Sequence, residues 1–185
     1  ESFASASDIE LKVSEGDDEI NDARSISVDD NDDTDEVEVL AFEVEAEGDS
    51  DLLIDDLSVD FTSVGAGVGE IINDADLVVD GDVIGSASTT IASTTATTMT
   101  VTFDDLDWTV DAGDTVEVIV RVNVNNLSGA FGGGETLTAD VNPDDAAWDV
   151  EDEEGESVAA ADKTGSASSE AHSFYSDGLE IAEGG

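Results

Sequence analysis

Val116, Val118, Val120, Val122 and Val124 occupy every second position of one stretch and alternate with Glu117, Ile119, Arg121 and Asn123. A period of two places the valines on one face of a β-strand, whereas the apolar positions of a helix recur every three to four residues. β-Branched side chains also suit a pleated surface. Just upstream, Leu106, Trp108 and Val110 alternate with Asp107 and Thr109, and Ala112-Gly113-Asp114 supplies a turn. A strand this long, apolar on one face, requires a neighbour on each edge and a lid over its valines.

The rest of the chain offers candidates. Residues 7–13 place Ile9, Leu11 and Val13 on one face. Residues 24–28 read as a short strand. Residues 36–46, EVEVLAFEVEA, read as a long one whose inward set shifts near Ala41 from Val37 and Val39 to Phe42 and Val44, the mark of a bulge. Residues 52–64 offer Ile54, Leu57, Val59 and Phe61. Residues 76–86 read as a hairpin turning on Asp80-Gly81, a pair that tolerates the positive φ of a tight turn. The Ser/Thr-rich run 88–100 favours an extended edge strand. Further strands are expected over 135–141, 158–161 and 174–181, with a short apolar piece around Trp148. Residues 15–22 and 29–35 read as acidic loops, and 163–170 as a polar linker. No segment has a helical period. About ten short strands separated by Gly, Asp and Asn turns predict an all-β sandwich, with a barrel as the alternative closure. The expected organisation is one domain over 1–185, with 1–14 as a strand available for donation and 162–185 as a linker-like extension carrying a last strand.

Charge sets the conditions under which this chain can fold. Asp and Glu number 49 against 4 Lys and Arg, a formal net charge of −45 in 185 residues. A globule of this size exposes roughly 8,000 Å², so net charges stand about 14 Å apart. That is close to the screening length of about 10 Å at 0.1 M salt, whereas at 1 M the length falls to about 3 Å. Self-repulsion opposes compaction in dilute buffer and fades in brine. This bias resembles that of proteins from extreme halophiles. The acids are interleaved with Val, Leu, Ile and Phe, which a disordered acidic tail is not. Nucleic acid is excluded as a partner by charge, and no run approaches the roughly 18 apolar residues of a membrane span. With Cys 0, disulfides and thiolate chemistry are excluded too. No signal peptide is visible, so Glu1 reads as an end left after its removal.

Sites for chemistry are few. His172 is the only histidine, in a Ser/Ala-rich run where it is expected to be solvated, and no nucleophile elbow or phosphate loop accompanies it. Enzyme activity is not expected and no cofactor is required. Calcium, which takes oxygen ligands from acidic loops, has two candidate clusters: Asp30, Asp32, Thr34 and Glu36, and Asp104, Asp105 and Asp107. Asn126-Leu127-Ser128 is the one N-glycosylation sequon, which makes Asn126 the candidate glycan site.

The two ends echo one another. Ser2-Phe3, Ser7-Asp8-Ile9-Glu10-Leu11 and Glu15-Gly16 match Ser173-Phe174, Ser176-Asp177-Gly178-Leu179-Glu180-Ile181 and Glu183-Gly184. The chain thus ends where another copy of its first strand would begin, a pattern that suits a tandem array or a polymer sharing a strand. Together, the strand 57–61, the hairpin 77–86 and the corner 103–124 resemble an Ig-like domain repeated in large prokaryotic cell-surface proteins. A more distant likeness is to secreted β-sandwich fibre subunits that polymerise by strand donation. These resemblances imply an Ig-like antiparallel sandwich, an extracellular or cell-surface location and a scaffold role. The expected mechanism is strand addition, with main-chain hydrogen bonds for affinity and alternating side chains in pockets. The donor would be Ile9, Leu11 and Val13, or alternatively Phe174, Leu179 and Ile181, and the partner a further copy of the chain. The competing expectation is a calcium-dependent adhesin or carbohydrate-binding module of a larger surface protein.

Overall fold

The fold is that of a computed structural model, which describes residues 9–88, 96–127, 129 and 131–176. The valine stripe is β9 (Thr115–Val124), and it has the two neighbours its length calls for. It pairs antiparallel with β3 (Thr34–Glu47) on one edge and β5 (Ile72–Val79) on the other. Val118, Val120, Val122 and Val124 are buried to 1% or less. With β1 (Glu10–Glu15), β6 (Asp82–Ser88) and β12 (Lys163–Gly165) they form a six-stranded sheet in the order β12-β1-β3-β9-β5-β6.

The second sheet has β4 (Leu52–Val64) at its centre. One edge of β4 pairs with β7 (Thr98–Phe103) and β8 (Trp108–Val110), the other with β10 (Thr136–Val141) and β11 (Asp149–Asp152). β13 (Ala167–Ser168) and β14 (His172–Ser176) follow one another along the far edge of β10, and β2 (Ser25–Val28) closes the sheet in parallel with β14. Two single-turn helices, α1 (Asp18–Asn21) and α2 (Val68–Ile71), bridge the layers. The sheets meet over a core that includes Leu11, Phe42, Val44, Ile54, Leu57, Phe61, Phe103, Leu137 and Phe174. Trp148 plugs its side, edge-on to Phe42 at 6.5 Å, with its indole N–H donated to the Ser58 carbonyl at 3.3 Å. This is the all-β sandwich expected from the sequence, although β1–β12 and β2–β14 pair in parallel where an antiparallel sandwich was expected.

Several local features match the sequence and others correct it. Asp80 and Gly81 have φ 52° and 89°, the double positive φ of the expected hairpin turn. The β3–β9 ladder shifts register twice, once between Thr34 and Val37 and once at Val39, where it steps from Glu38 opposite Arg121 to Leu40 opposite Val120; the second is the nearer to the expected place and lies two residues before it. Residues 163–170 are not a linker: they supply β12 and β13. Gly165 has φ +82°, and a Cβ there would stand 1.9 Å from the Val13 carbonyl oxygen, so a small residue is required where sequence composition suggested slack. Residues 158–161 form no strand; a 3₁₀ turn covers Ala160–Asp162.

The registers fix where the chain enters and leaves. Glu10 lies opposite Glu47, beside the turns around residues 48–51 and 111–114, at one pole of the sandwich. Thr136 lies opposite both Val64 and Ser173, at the other pole. There the Ser176 hydroxyl donates to Asp30 in the β2–β3 loop at 2.8 Å. The described chain therefore comes in at one pole and leaves at the opposite one.

Candidate functional site

The candidate donor strand is built into its own sheet. β1 pairs antiparallel with β3 from Glu10↔Glu47 to Glu15↔Phe42 and in parallel with β12. Leu11 and Val13 are buried at 0% and 2%, and Ile9 packs against the same core. Phe174 of the alternative strand is buried at 0%, edge-on to Phe131 at 5.8 Å, whereas Leu179 and Ile181 lie outside the described residues. Within this chain, neither terminal strand is free.

Beyond the end of β1, three side chains take over the edge of β3. The Asn21 side chain donates to the Ala41 carbonyl and accepts from the Ala41 N–H, both at 2.8 Å, as a neighbouring strand would. The His172 Nε2–H donates to the Val39 carbonyl at 2.8 Å, a carbonyl that the bulge leaves outside the ladder. The Arg24 guanidinium donates to the Glu38 carbonyl. All the backbone groups named here are thus satisfied without a strand. His172 is buried at 0%, so the expectation of a solvated histidine is overturned. Burial, and secondarily the nearby Arg24 charge, hold its pKa below the ordinary histidine value against the opposing hydrogen bond to Val39. Among the described residues its Nδ1 has no hydrogen-bond partner. On the same side Lys163 donates to the Trp148 carbonyl at 2.8 Å.

The acidic loops use their carboxylates one at a time. Asp29 accepts from the N–H groups of Asn31 and Asp32 at 2.7 and 3.2 Å, which lowers its pKa. Thr34 accepts from the Asp29 N–H at 3.3 Å, and Glu36 stands 3.9 Å from Arg121. Asp105 and Asp107 adopt φ 57° and 47° beside β4, where the Asp105 N–H donates to Asp56 at 3.2 Å. Burial raises the pKa of Asp55 there, helped by the charges of Asp56, Asp107, Asp105 and Asp149. Asp104 is exposed in the same loop. Among the described residues no group of three or more acidic or histidine side chains converges as a cation site. Asn126 is half-buried after β9, its N–H donated to Asp33 at 3.0 Å, while Ser128 of its sequon lies outside the described residues.

The opposite lateral side differs in kind. It is made by β6, the end strand of one sheet, and β7, an outer strand of the other. From Val83 to Phe103 the sequence contains no Asp, Glu, Lys or Arg, the longest uncharged run in the chain. Here β6 comes down on the β7–β8 corner: a Cβ on Gly85 would meet Leu106 at 2.3 Å and Phe103 at 3.6 Å. Val83 is 54% exposed. On β7 the side chains of Thr98 and Thr100 are exposed and that of Thr102 is half-buried, while Val101 and Phe103 point into the core. The outward face continues through Thr62 and Asp60 of β4 to Thr138 and Asp140 of β10, cross-strand partners in each case. Burial raises the pKa of Asp140, with Asp60 and Glu15 adding to the effect. This uncharged side is legible in the sequence as a gap in the charge pattern, where the Ser/Thr-rich run 88–100 suits an edge strand and equally a carrier of O-glycans.

No family model matches the chain, and no curated protein matches it. Among solved structures, BcpA, the major pilin subunit of Bacillus cereus, is 11% identical over 91% of this chain with a TM-score of 0.40. The chain spans 40% of that protein's length. A family 123 glycoside hydrolase from Clostridium perfringens is 11% identical over 91% of this chain and 28% of its own, at TM-score 0.36. The CooA pilin subunit of enterotoxigenic Escherichia coli is 10% identical over 91% of this chain and 99% of its own, also at 0.36. Likenesses this slight carry no function to this chain.

Proposed function

We propose that this chain is a structural module of an extracellular or cell-surface fibre or array, built for concentrated salt and without catalytic chemistry of its own. The observation that carries this reading is the path of the chain. The ends of a domain often lie close together; here Ile9 and Ser176 lie at opposite poles. Modules joined at such ends continue in line, whether the join is covalent or made by a strand exchanged with a neighbour. Tension along that line loads the β1–β3 and β14–β10 ladders in shear, so that their hydrogen bonds resist together. The net charge of −45 requires brine for any such line of copies to pack. The finer form of the proposal is that β1 of one copy fills the slot between β3 and β12 of the next, an open-ended contact that builds a fibre.

The test is single-molecule pulling in brine. Force applied between residues 9 and 176 should rupture the domain at a much higher value than force between residues 9 and 47, which unzips β1 from β3. Equal rupture forces would sink the reading. An adhesin or carbohydrate module would instead present aromatics on a flat face; Trp148 is buried, and Tyr175 is 49% exposed near the exit pole.

A further inference from the structure

We infer that the uncharged lateral side is a self-pairing surface, on which β7 of one copy pairs antiparallel with β7 of a second copy about a two-fold axis. This contact lies across the line of the poles and does not depend on how modules are joined along it.

Backbone geometry gives the register. The Ser63 N–H donates to the Thr97 carbonyl at 2.8 Å. Along an antiparallel strand, alternate residues turn their N–H and C=O to the same neighbour. Thr97, Met99 and Val101 therefore bond to β4, whereas Thr98, Thr100 and Thr102 turn their backbone groups away from it. Among the described residues no strand pairs with that outer edge. β7 also pairs with β4 from Leu57↔Phe103 to Thr62↔Thr98 without a register shift. It has none of the devices that keep an edge unpaired: no charge, no proline and no bulge. β6 differs, since its ladder shifts between Leu77 and Val78, so the regular edge is β7.

Charge selects the occupant. A cationic partner would be drawn to the acid-studded poles and outer faces, not to the uncharged side. A second copy carries the same −45 and can approach closely only where neither molecule presents a carboxylate. Its own β7 edge meets that condition along the strand itself; the first carboxylate behind it is Asp60 of β4, which accepts from the Thr100 hydroxyl. With the axis at Thr100, each Thr100 exchanges both main-chain hydrogen bonds with its counterpart, and each Thr98 faces a Thr102. Threonines opposite one another are favourable cross-strand partners, and no like charges are opposed. The nearest carboxylates across the seam belong to Asp60 on β4, each taken up by the Thr100 hydroxyl of its own copy, and the two β4 backbones stand about 14 Å apart, three strand spacings. That separation is screened at molar salt. The uncharged β6 edges, with Val83, would form the second layer of the seam.

The experiment is light scattering in about 3 M NaCl over a concentration series, a salt at which screening is complete within a few ångströms. The full chain should shift reversibly from monomer to dimer mass as concentration rises, and the shift should weaken at low salt. Thr100→Pro removes an outward N–H that β4 does not use. It should raise the dimer dissociation constant at least about tenfold, or 1.4 kcal/mol. Thr98→Glu keeps every bond to β4, should weaken the dimer in the same direction, and guards against misfolding of the proline variant. A mass that stays monomeric at all concentrations, or dimers equally tight in both folded variants, would overturn the inference. Open-ended polymers that persist undiminished in both variants would also overturn it and would point to joining along the poles instead.

Discussion

The edge of β3 and the edge of β7 pose the same problem and receive opposite treatment. Each is a strand with unpaired backbone groups on one side. On β3, β1 covers the edge as far as Phe42, and Asn21, His172 and Arg24 cover it from Ala41 to Glu38. On β7, the outward groups of Thr98, Thr100 and Thr102 meet no strand among the described residues. The chain spends a buried amide, its single histidine and one of its 4 basic residues on closing the first edge. It places neither a charge nor a proline on the second. The first edge is closed by side chains, whereas among the described residues the second meets no strand and carries no charge, which is why it is the edge proposed for pairing with a second copy.

The largest effect should come from emptying the closed side. A chain lacking residues 1–14 loses β1 and leaves Leu11 and Val13 out of the core. It should be severely destabilised in brine, and a peptide spanning residues 7–15 should restore the native circular dichroism. A peptide that fails to rescue a truncated chain still rich in β-structure would remove strand exchange through this slot. Leu11→Ala, at a position buried at 0%, should cost about 2–5 kcal/mol in denaturant titration. Asn21→Leu leaves the Ala41 N–H without its partner and should cost about 1–3 kcal/mol, while the Gly16 N–H still serves the Ala41 carbonyl. The effect of pH should be smaller. The folded pKa of His172 lies below the ordinary value of about 6.5, so the fold holds the neutral ring. Its contribution is complete above that pH and declines as pH falls through it toward the folded pKa. The stability difference between pH 7.5 and 5.5 should therefore shrink in His172→Gln, a comparison in which the carboxylates cancel. Smallest of all, Thr98→Glu on the bare edge should change monomer stability by no more than about 0.5 kcal/mol, as for an exposed position away from a cap or core.

Much of the scaffold was written in local pattern. The Val116–Val124 alternation, the Asp80-Gly81 turn and the Leu52–Val64 strand each depend on neighbours in sequence, and each formed as read. The shift of inward residues in β3 announced a bulge, displaced by two residues because Val39, Leu40, Ala41 and Phe42 are all apolar and all buried. What could not be read is whatever depends on distant partners. Asn21, Arg24 and His172 converge on β3 from separate segments, and no spacing between them encodes that meeting. The small residues of 163–170 imitate a linker, yet β1 leaves no room for a Cβ at Gly165, and Ala167 is buried in the core. His172 would have been placed correctly had the last strand been started two residues earlier, since it alternates with the buried Phe174.

The contrast between the two edges is tested most directly by hydrogen exchange in brine, followed at low and high protein concentration. The account predicts that the Ala41 amide and those of β1 are protected at every concentration. The amides of Thr98, Thr100 and Thr102 should exchange rapidly in dilute solution and become protected as concentration rises. Protection of those three threonines at the lowest concentration, or their rapid exchange at the highest, would contradict it.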